Sequence, residues 1–432
     1  MMTMFNYIRA KLLQLDKTIL LAIFHLSLLA CLYALLSIYC RKSYAMPSQS
    51  NLLHYDAYWY FSIKEFGYYY QPNAGNNAAF FPLFPLVWSY FDFSNLGISL
   101  FNLAVFGCSF VVLLKVEKLK AGFLLMLLSF PSFIFFALPY SESLFFLFCT
   151  ILIIGYRKKS NLLICIGLFG ASLVRSVCMI FLPAIIICEL LTATFERNSI
   201  IKAVCKLLAS TAGFLLASWY LKCATGKWFY FIEIQKYWNR HWLVPTFPLT
   251  TISPARVLGV DAVTLLLGCI AIYICIKAAV IRIRRKVSES ATENRDLDPS
   301  VLMSALYMSG MSILDVVFSY KSNGGTNIWS LNRHVMCTPF ALIFLVYLFK
   351  HFNPLPLERL GLALLIVLGV FFTGAFEYPN LRVLGFLVMF FSTLIALKHH
   401  KAALGFFVIY YLLAIFLQTA FYAEFLNKLW LG

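Results

Sequence analysis

The sequence predicts an all-α polytopic membrane protein, and three observations predict it. Apolar residues make up 62% of the 432 positions and charged residues only 12%, a balance suited to lipid rather than water. Long apolar runs recur from Thr18 to Tyr422, separated by short polar breaks. Lysine and arginine gather in a subset of those breaks.

The first run, 18–40, is long enough to span, and no small-residue cleavage pattern follows it, so it reads as a span and not as a removable signal. Further spans are expected near 95–114, 121–138, 141–156, 161–174, 177–193, 203–221, 257–280, 301–319, 334–350, 360–376, 383–397 and 402–422. That makes about 13 transmembrane helices, with the N-terminus inside. Several in the 121–193 region fall short of the ~20 residues that a perpendicular helix needs. The segment "AAFFPLFPLVWSYF" (Ala78–Phe91) is apolar enough to enter the bilayer, but Pro82 and Pro85 spoil a continuous helix. It is expected to be re-entrant or interfacial, supported by protein.

With these spans, 22 of the 35 basic residues share one side. They include Arg9, Lys11 and Lys17, Lys115 to Lys120, Arg157 to Lys159, and Lys277 to Arg295. The positive-inside rule makes that side cytoplasmic. It also accounts for the net charge of +17 without nucleic acid, since no Lys/Arg-rich soluble domain exists to bind one. The polar stretch Arg285–Ser300 reads as a cytoplasmic linker. It joins an N-terminal bundle (1–284, with its first outer loop at 41–95) to a C-terminal bundle (301–432). The twelve cysteines lie mostly inside spans without CxxC spacing, so they are expected as packing residues with free thiols. His399 and His400 beside Lys401 read as a solvated turn.

The unusual residues collect on the opposite, outer side. "HYDAYWYF" (His54–Phe61) places an acid among rings. Tyrosine and tryptophan suit the headgroup layer of an interfacial helix, but Asp56 adds nothing to anchoring and needs a partner or a chemical role. His54, Tyr55 and Tyr58 would sit beside it. In "ALPYSESLFF", Glu142 either caps the next helix or shares a cavity with Asp56. Arg175 either pairs with Glu142 or holds a phosphate. The loop Lys222–Arg256 is expected to be another amphipathic interfacial helix over most of its length. There Gln235, Trp238 and Arg240 are the members able to touch a ligand. "TNIWSLNRHVMCTPF" puts Asn332, Arg333 and His334 at the outer mouth of the following span. Arg333 either snorkels or holds a phosphate.

No GxxxxGK[ST] or GxGxxG pattern provides a nucleotide site. An outer cavity with carboxylates, arginines and rings fits a membrane-borne donor instead. A lipid-phosphate sugar would lay its tail between helices and its phosphate on arginine. A carboxylate would take the proton of the acceptor hydroxyl as the lipid phosphate leaves. No second acid accompanies Asp56 at chelating spacing, so neither a metal nor another cofactor is expected.

The ordered series "HYDAYWYFSIKEFGY", "AAFFPLFP", "PYSESLFF", the arginine of "ASLVRS", "QKYWNRHW" and "SLNRHVMCTPF" resembles the GPI mannosyltransferase 2 (PIG-V-like) family, including its bacterial relatives. The likeness is closest over 54–148. It implies a GT-C-like multi-span helical bundle with outer-face interfacial helices, and a polyprenyl- or dolichyl-phosphate sugar donor. It also implies a catalytic carboxylate in the first outer loop, which maps onto Asp56. The implied enzyme is a mannosyltransferase-like hexosyltransferase that inverts the sugar and passes it to a glycolipid or glycan acceptor. Its setting would be a bacterial inner membrane with a periplasm-facing site, or the ER membrane. Two departures leave the acceptor open: Ser176-Val177-Cys178 follows Arg175, and Tyr55 stands where the family commonly has tryptophan. Two other classes compete. A lipid-linked glycan transporter or flippase predicts charges along a path through the membrane centre. A non-catalytic assembly subunit predicts the fold without an acceptor site.

Overall fold

The structure is a computed structural model that describes residues 17–71, 73–117, 119–192, 196–287, 297–322, 324–352, 356–372, 381–399 and 403–431. Arg9, Lys11, Lys118, His400, Lys401 and residues 288–296 of the expected linker lie outside the described residues.

The described chain is almost wholly helical. Six helices are long and apolar enough to cross a bilayer. They are α1 (Lys17–Tyr39), α4 (Asn95–Val116), α9 (Arg197–Thr225), α11 (Ala255–Val287), α12 (Pro299–Val317) and α17 (Ala403–Leu426). Between them stand α2 (Asp56–Phe66), α3 (Leu83–Phe91), α5 (Ala121–Leu128), α6 (Glu142–Arg157), α7 (Asn161–Val174), α8 (Phe181–Thr192) and α10 (Tyr230–Glu233). The C-terminal part adds α13 (Leu331–Met336), α14 (Pro339–Lys350), α15 (Pro356–Phe372) and α16 (Leu381–His399). The outward faces are apolar: Ile23, Phe24 and Leu35 on α1, and Leu208, Leu215 and Trp219 on α9, are exposed. Long helices that point such side chains outward mark a membrane-embedded protein.

Against about 13 expected spans, the described residues hold six such helices, or seven if one bent pair counts as a single crossing, with four shorter apolar helices beside them. The clearest departure is the run 121–138. It divides into α5 and a 3-10 turn, Pro131–Ala137, which meets α6 at 103°. Pro131 lacks an N–H and biases the preceding residue away from helix. Two buried amides satisfy the carbonyls that the break releases. Gln418 Nε2 donates to Leu128 and Phe130 O at 2.8 and 3.0 Å. Asn102 Nδ2 donates to Leu138 and Tyr140 O at 2.6 and 2.9 Å. Irregular backbone at membrane depth survives only with such protein partners. The run 334–350 is likewise interrupted, with α13 ending before Pro339 starts α14.

The 78–91 segment contains only a 3-10 turn and the nine-residue α3. At 1.5 Å per residue α3 reaches about 14 Å, half of a bilayer core. The expected amphipathic helix over 222–256 is absent. The chain there makes α10, a 3-10 turn (Ile234–Trp238) and extended segments. His241–Trp242 (β1) pairs antiparallel with Phe318–Ser319 (β2), and Lys321–Ser322 (β3) with Gly325–Thr326 (β4). A bridge between Thr250 and Asn327 ties the two loops together. Long-range backbone pairing overrides the local apolar pattern here.

One core runs from Leu52 to Leu431, so the two halves of the chain share it. In lipid, van der Waals contact and small residues bring helices together. A Cβ at Gly167 would stand 2.6 Å from Leu152 N, so α7 lies directly on α6. That contact fixes the start of α6 and the end of α7, where two site residues emerge.

Candidate functional site

Asp56 is the first residue of α2, where a carboxylate meets the positive end of the helix. The turn into it is unusual. Tyr55 has φ 55° and ψ −124°, outside the regions that L-residues favour. Its ring packs edge-on against Trp430 at 4.7 Å, and its hydroxyl donates to Lys428 O. The C-terminal segment therefore clamps the strained residue. Helix α2 turns Ala57, Tyr60 and Ile63 inward and leaves Tyr58 outward, half exposed.

An ionic chain runs inward from Asp56. Arg333 Nη1 meets Asp56 Oδ2 at 2.6 Å, and Arg333 Nε meets Glu142 Oε1. Arg175 Nη1 reaches the same Glu142 oxygen at 2.9 Å. Glu142 is fully buried and Arg333 nearly so. The Arg333 guanidinium lies over the Tyr140 ring at 4.4 Å, and that of Arg175 over Phe145 at 5.6 Å. Two carboxylates thus face two guanidiniums, the arrangement that makes burial of charge tolerable.

A second cluster adjoins the first, since His334 follows Arg333 on α13. Asp315, near the end of α12, accepts from His334 Nδ1 at 2.9 Å and meets Arg240 Nη1 at 3.5 Å. Arg240 also lies over Trp329, 5.3 Å from its centroid. Behind it, buried Asp261 accepts from Asn332 N and Nδ2 at 2.8 and 2.6 Å, which holds α13 in place.

Residues of both clusters line a cavity of about 540 Å³. Of the candidates taken from the sequence, Tyr55, Asp56, Arg175, Gln235, Trp238, Arg240 and Arg333 line it. Glu142 does not; it sits behind Arg333 and Arg175 and orients both. His54 packs on Phe425 and Tyr55, away from the lining, and Tyr58 packs on Trp59. Residues not singled out in the sequence complete the wall: Tyr60, Tyr237, Tyr320, Trp329 and Trp430. Trp329 and Trp430 meet at 5.2 Å from opposite ends of the C-terminal part, a contact that no local pattern announces. Burial raises the Tyr320 hydroxyl above its ordinary value while the Arg240 charge opposes it. At the end of α3, a hydrogen bond from Lys64 at 2.8 Å and its charge lower the Asp92 carboxyl.

Among the described residues no three His, Cys, Asp or Glu side chains are placed to hold a metal ion, and the described cysteines are free thiols. No family model, curated protein or solved structure matches the chain.

Proposed function

We propose that the cavity is the site of a membrane glycosyltransferase with Asp56 as its general base. One observation carries this reading. A carboxylate whose Oδ2 is held by a nearly buried arginine lines an aromatic-walled cavity in a membrane-embedded chain. A volume of about 540 Å³ falls within the range of small-molecule sites and accommodates a hexose with its phosphate. Trp238, Trp329 and Trp430 offer ring faces with polar edges, which suit a sugar.

The acceptor hydroxyl gives its proton to Asp56 while its oxygen attacks the anomeric carbon. The bond from that carbon to the phosphate oxygen breaks, and the lipid phosphate leaves with the electron pair. Attack opposite the leaving group inverts the centre. Arg333 orients the carboxylate, and Glu142 orients Arg333 and Arg175. The resemblance to the GPI mannosyltransferase 2 family supports a GT-C fold, mannose as the sugar, a polyprenyl- or dolichyl-phosphate carrier and a non-cytoplasmic active face.

The test is incubation of the purified protein with defined polyprenyl-phosphate hexoses and a glycolipid acceptor. Acceptor-dependent release of lipid phosphate supports the assignment. Movement of intact donor across vesicles, unaffected by Asp56→Asn and without release, would assign a transporter instead.

A further inference from the structure

The two charge clusters at the cavity differ in how their charges are spent. In the first, Arg333 and Arg175 face Asp56 and Glu142, two positive groups against two negative ones. In the second, Asp315 faces Arg240 and His334. That corner is neutral with a neutral imidazole and carries one positive charge once the ring takes a proton. Asp315 fixes the ring through Nδ1, so Nε2 is the atom left to meet a ligand, and His334 lines the cavity. Arg240 meets Asp315 at 3.5 Å, the outer limit of a hydrogen bond, so its fork is held loosely. Arg240 lines the cavity too. The charged groups acting on His334 are Asp315, Arg175 and Arg240, and Tyr307 donates to its carbonyl at 3.2 Å.

We propose that Arg240 and His334 form a phosphate-binding subsite in which anion binding adds a proton to His334. The imidazolium and the guanidinium fork would then hold the anion in the cavity that Asp56 also lines. This rests on the reading of the cavity as a donor site in one respect: the lipid-linked phosphate would seat here and not on Arg175 or Arg333. The subsite itself needs only a tetrahedral oxyanion.

The experiment is calorimetric titration of the purified full chain near pH 8, in buffers of differing ionisation heat. The probes are inorganic sulfate, inorganic phosphate and farnesyl phosphate. Sulfate does not titrate in this range, so any proton taken up belongs to the protein. The wild type should bind sulfate with uptake of up to one proton. His334→Gln should abolish the uptake, and His334→Gln and Arg240→Gln should each weaken binding about tenfold or more, the scale of one charge-assisted hydrogen bond. Arg240 sits on a loop, so its variant tests the site even if a change at His334 lowers folded yield. Farnesyl phosphate binding more tightly than inorganic phosphate identifies a lipid headgroup, and equal affinity identifies free phosphate. Absence of binding by the wild type, or wild-type binding by both the His334 and Arg240 variants, overturns the subsite. Anion binding without sugar transfer leaves the subsite and removes the transferase reading. Sugar transfer undisturbed by both variants keeps the transferase reading and takes the donor phosphate away from Arg240 and His334.

Discussion

Helix α6 carries an arginine–carboxylate cluster at each end, and the two ends differ in their surroundings. At its start, Glu142 holds Arg333 and Arg175, walled by Tyr140, Phe135 and Phe145. At its finish, Arg157 meets Glu117 at 2.5 Å and Asp298 at 3.1 Å, and Lys350 joins Glu117 at 3.2 Å. The finish touches water, with Arg157 a quarter exposed, and it ties together the ends of α4, α6, α12 and α14. The start is dry and borders a cavity. Similar ion pairs therefore do different things. Where water and other ions share the charge, the pair fastens helix ends; where they do not, it fixes atoms in one geometry.

The comparison breaks first at Asp56. Asp56→Asn keeps shape and hydrogen bonding but removes basicity. Turnover per folded molecule should fall by about 10²–10⁴-fold, the loss expected for a general base. Thermal stability should fall by less than for a change at Glu142, since Arg333 keeps Glu142 as a partner and Asp56 is the more exposed of the two acids. Asp56→Glu should recover little, because displacing the oxygen by an ångström or so misaligns the attack. Near-wild-type turnover by the Asn variant would remove Asp56 from the mechanism and make the start of α6 a structural cluster like its finish.

The next effect is on stability. Glu142→Gln deprives Arg175 of its carboxylate in a buried setting, and breaking a buried pair costs about 3–5 kcal/mol. The unfolding temperature in detergent should drop steeply. Adding Arg175→Met should recover part of the loss, because Asp56 and Arg333 then balance one to one. A single variant as stable as the wild type would mean that the buried cluster contributes no more than the exposed one.

Much of this site was legible because a charge in an apolar chain demands an explanation. Asp56, Arg175, Arg240 and Arg333 stood out for that reason, and they line one cavity. What stayed hidden depends on contacts between distant positions. Trp430 reaches Tyr55 from the other end of the chain, and β1 finds β2 across 75 or more residues. His54 and Tyr58 are sequence neighbours of Asp56, but His54 precedes α2 and packs on Phe425, and Tyr58 falls on the outward face of α2. The run 121–138 read as one span despite Pro131, and neither its break nor the stabilisation by Gln418 and Asn102 was foreseen. Those amides lie on other helices, and their role appears only once the helices pack.

A smaller effect follows from that break. Asn102→Leu is close in size but removes the side-chain donor of the Tyr140 carbonyl and leaves Leu138 O with only the Tyr140 N–H. A buried polar group stripped of its partner costs about 1–3 kcal/mol. The turn also leads directly into Tyr140 and Glu142, so turnover should fall with stability. Thermal unfolding together with turnover per folded molecule measures both. Unchanged values would show that the turn does not set the position of Glu142.

The smallest effect should come at the finish of α6. Arg157→Gln removes the centre of that cluster but leaves no charge stranded. Glu117 keeps Lys350, and Asp298 keeps its cap on Ser300 N at 2.8 Å. The site is partly exposed, so water takes over what the arginine gave up. A loss of at most about 1 kcal/mol is expected, and it should shrink further in high salt as screening weakens the wild-type pairs. The sixteen residues of α6 place this cluster roughly 24 Å from Glu142. Turnover per folded molecule should therefore equal that of the wild type. Unfolding temperatures at low and high salt, paired with turnover, decide the matter. A tenfold fall in turnover at unchanged stability would mean that α6 transmits the state of one end to the other, and the two clusters would then be parts of one device.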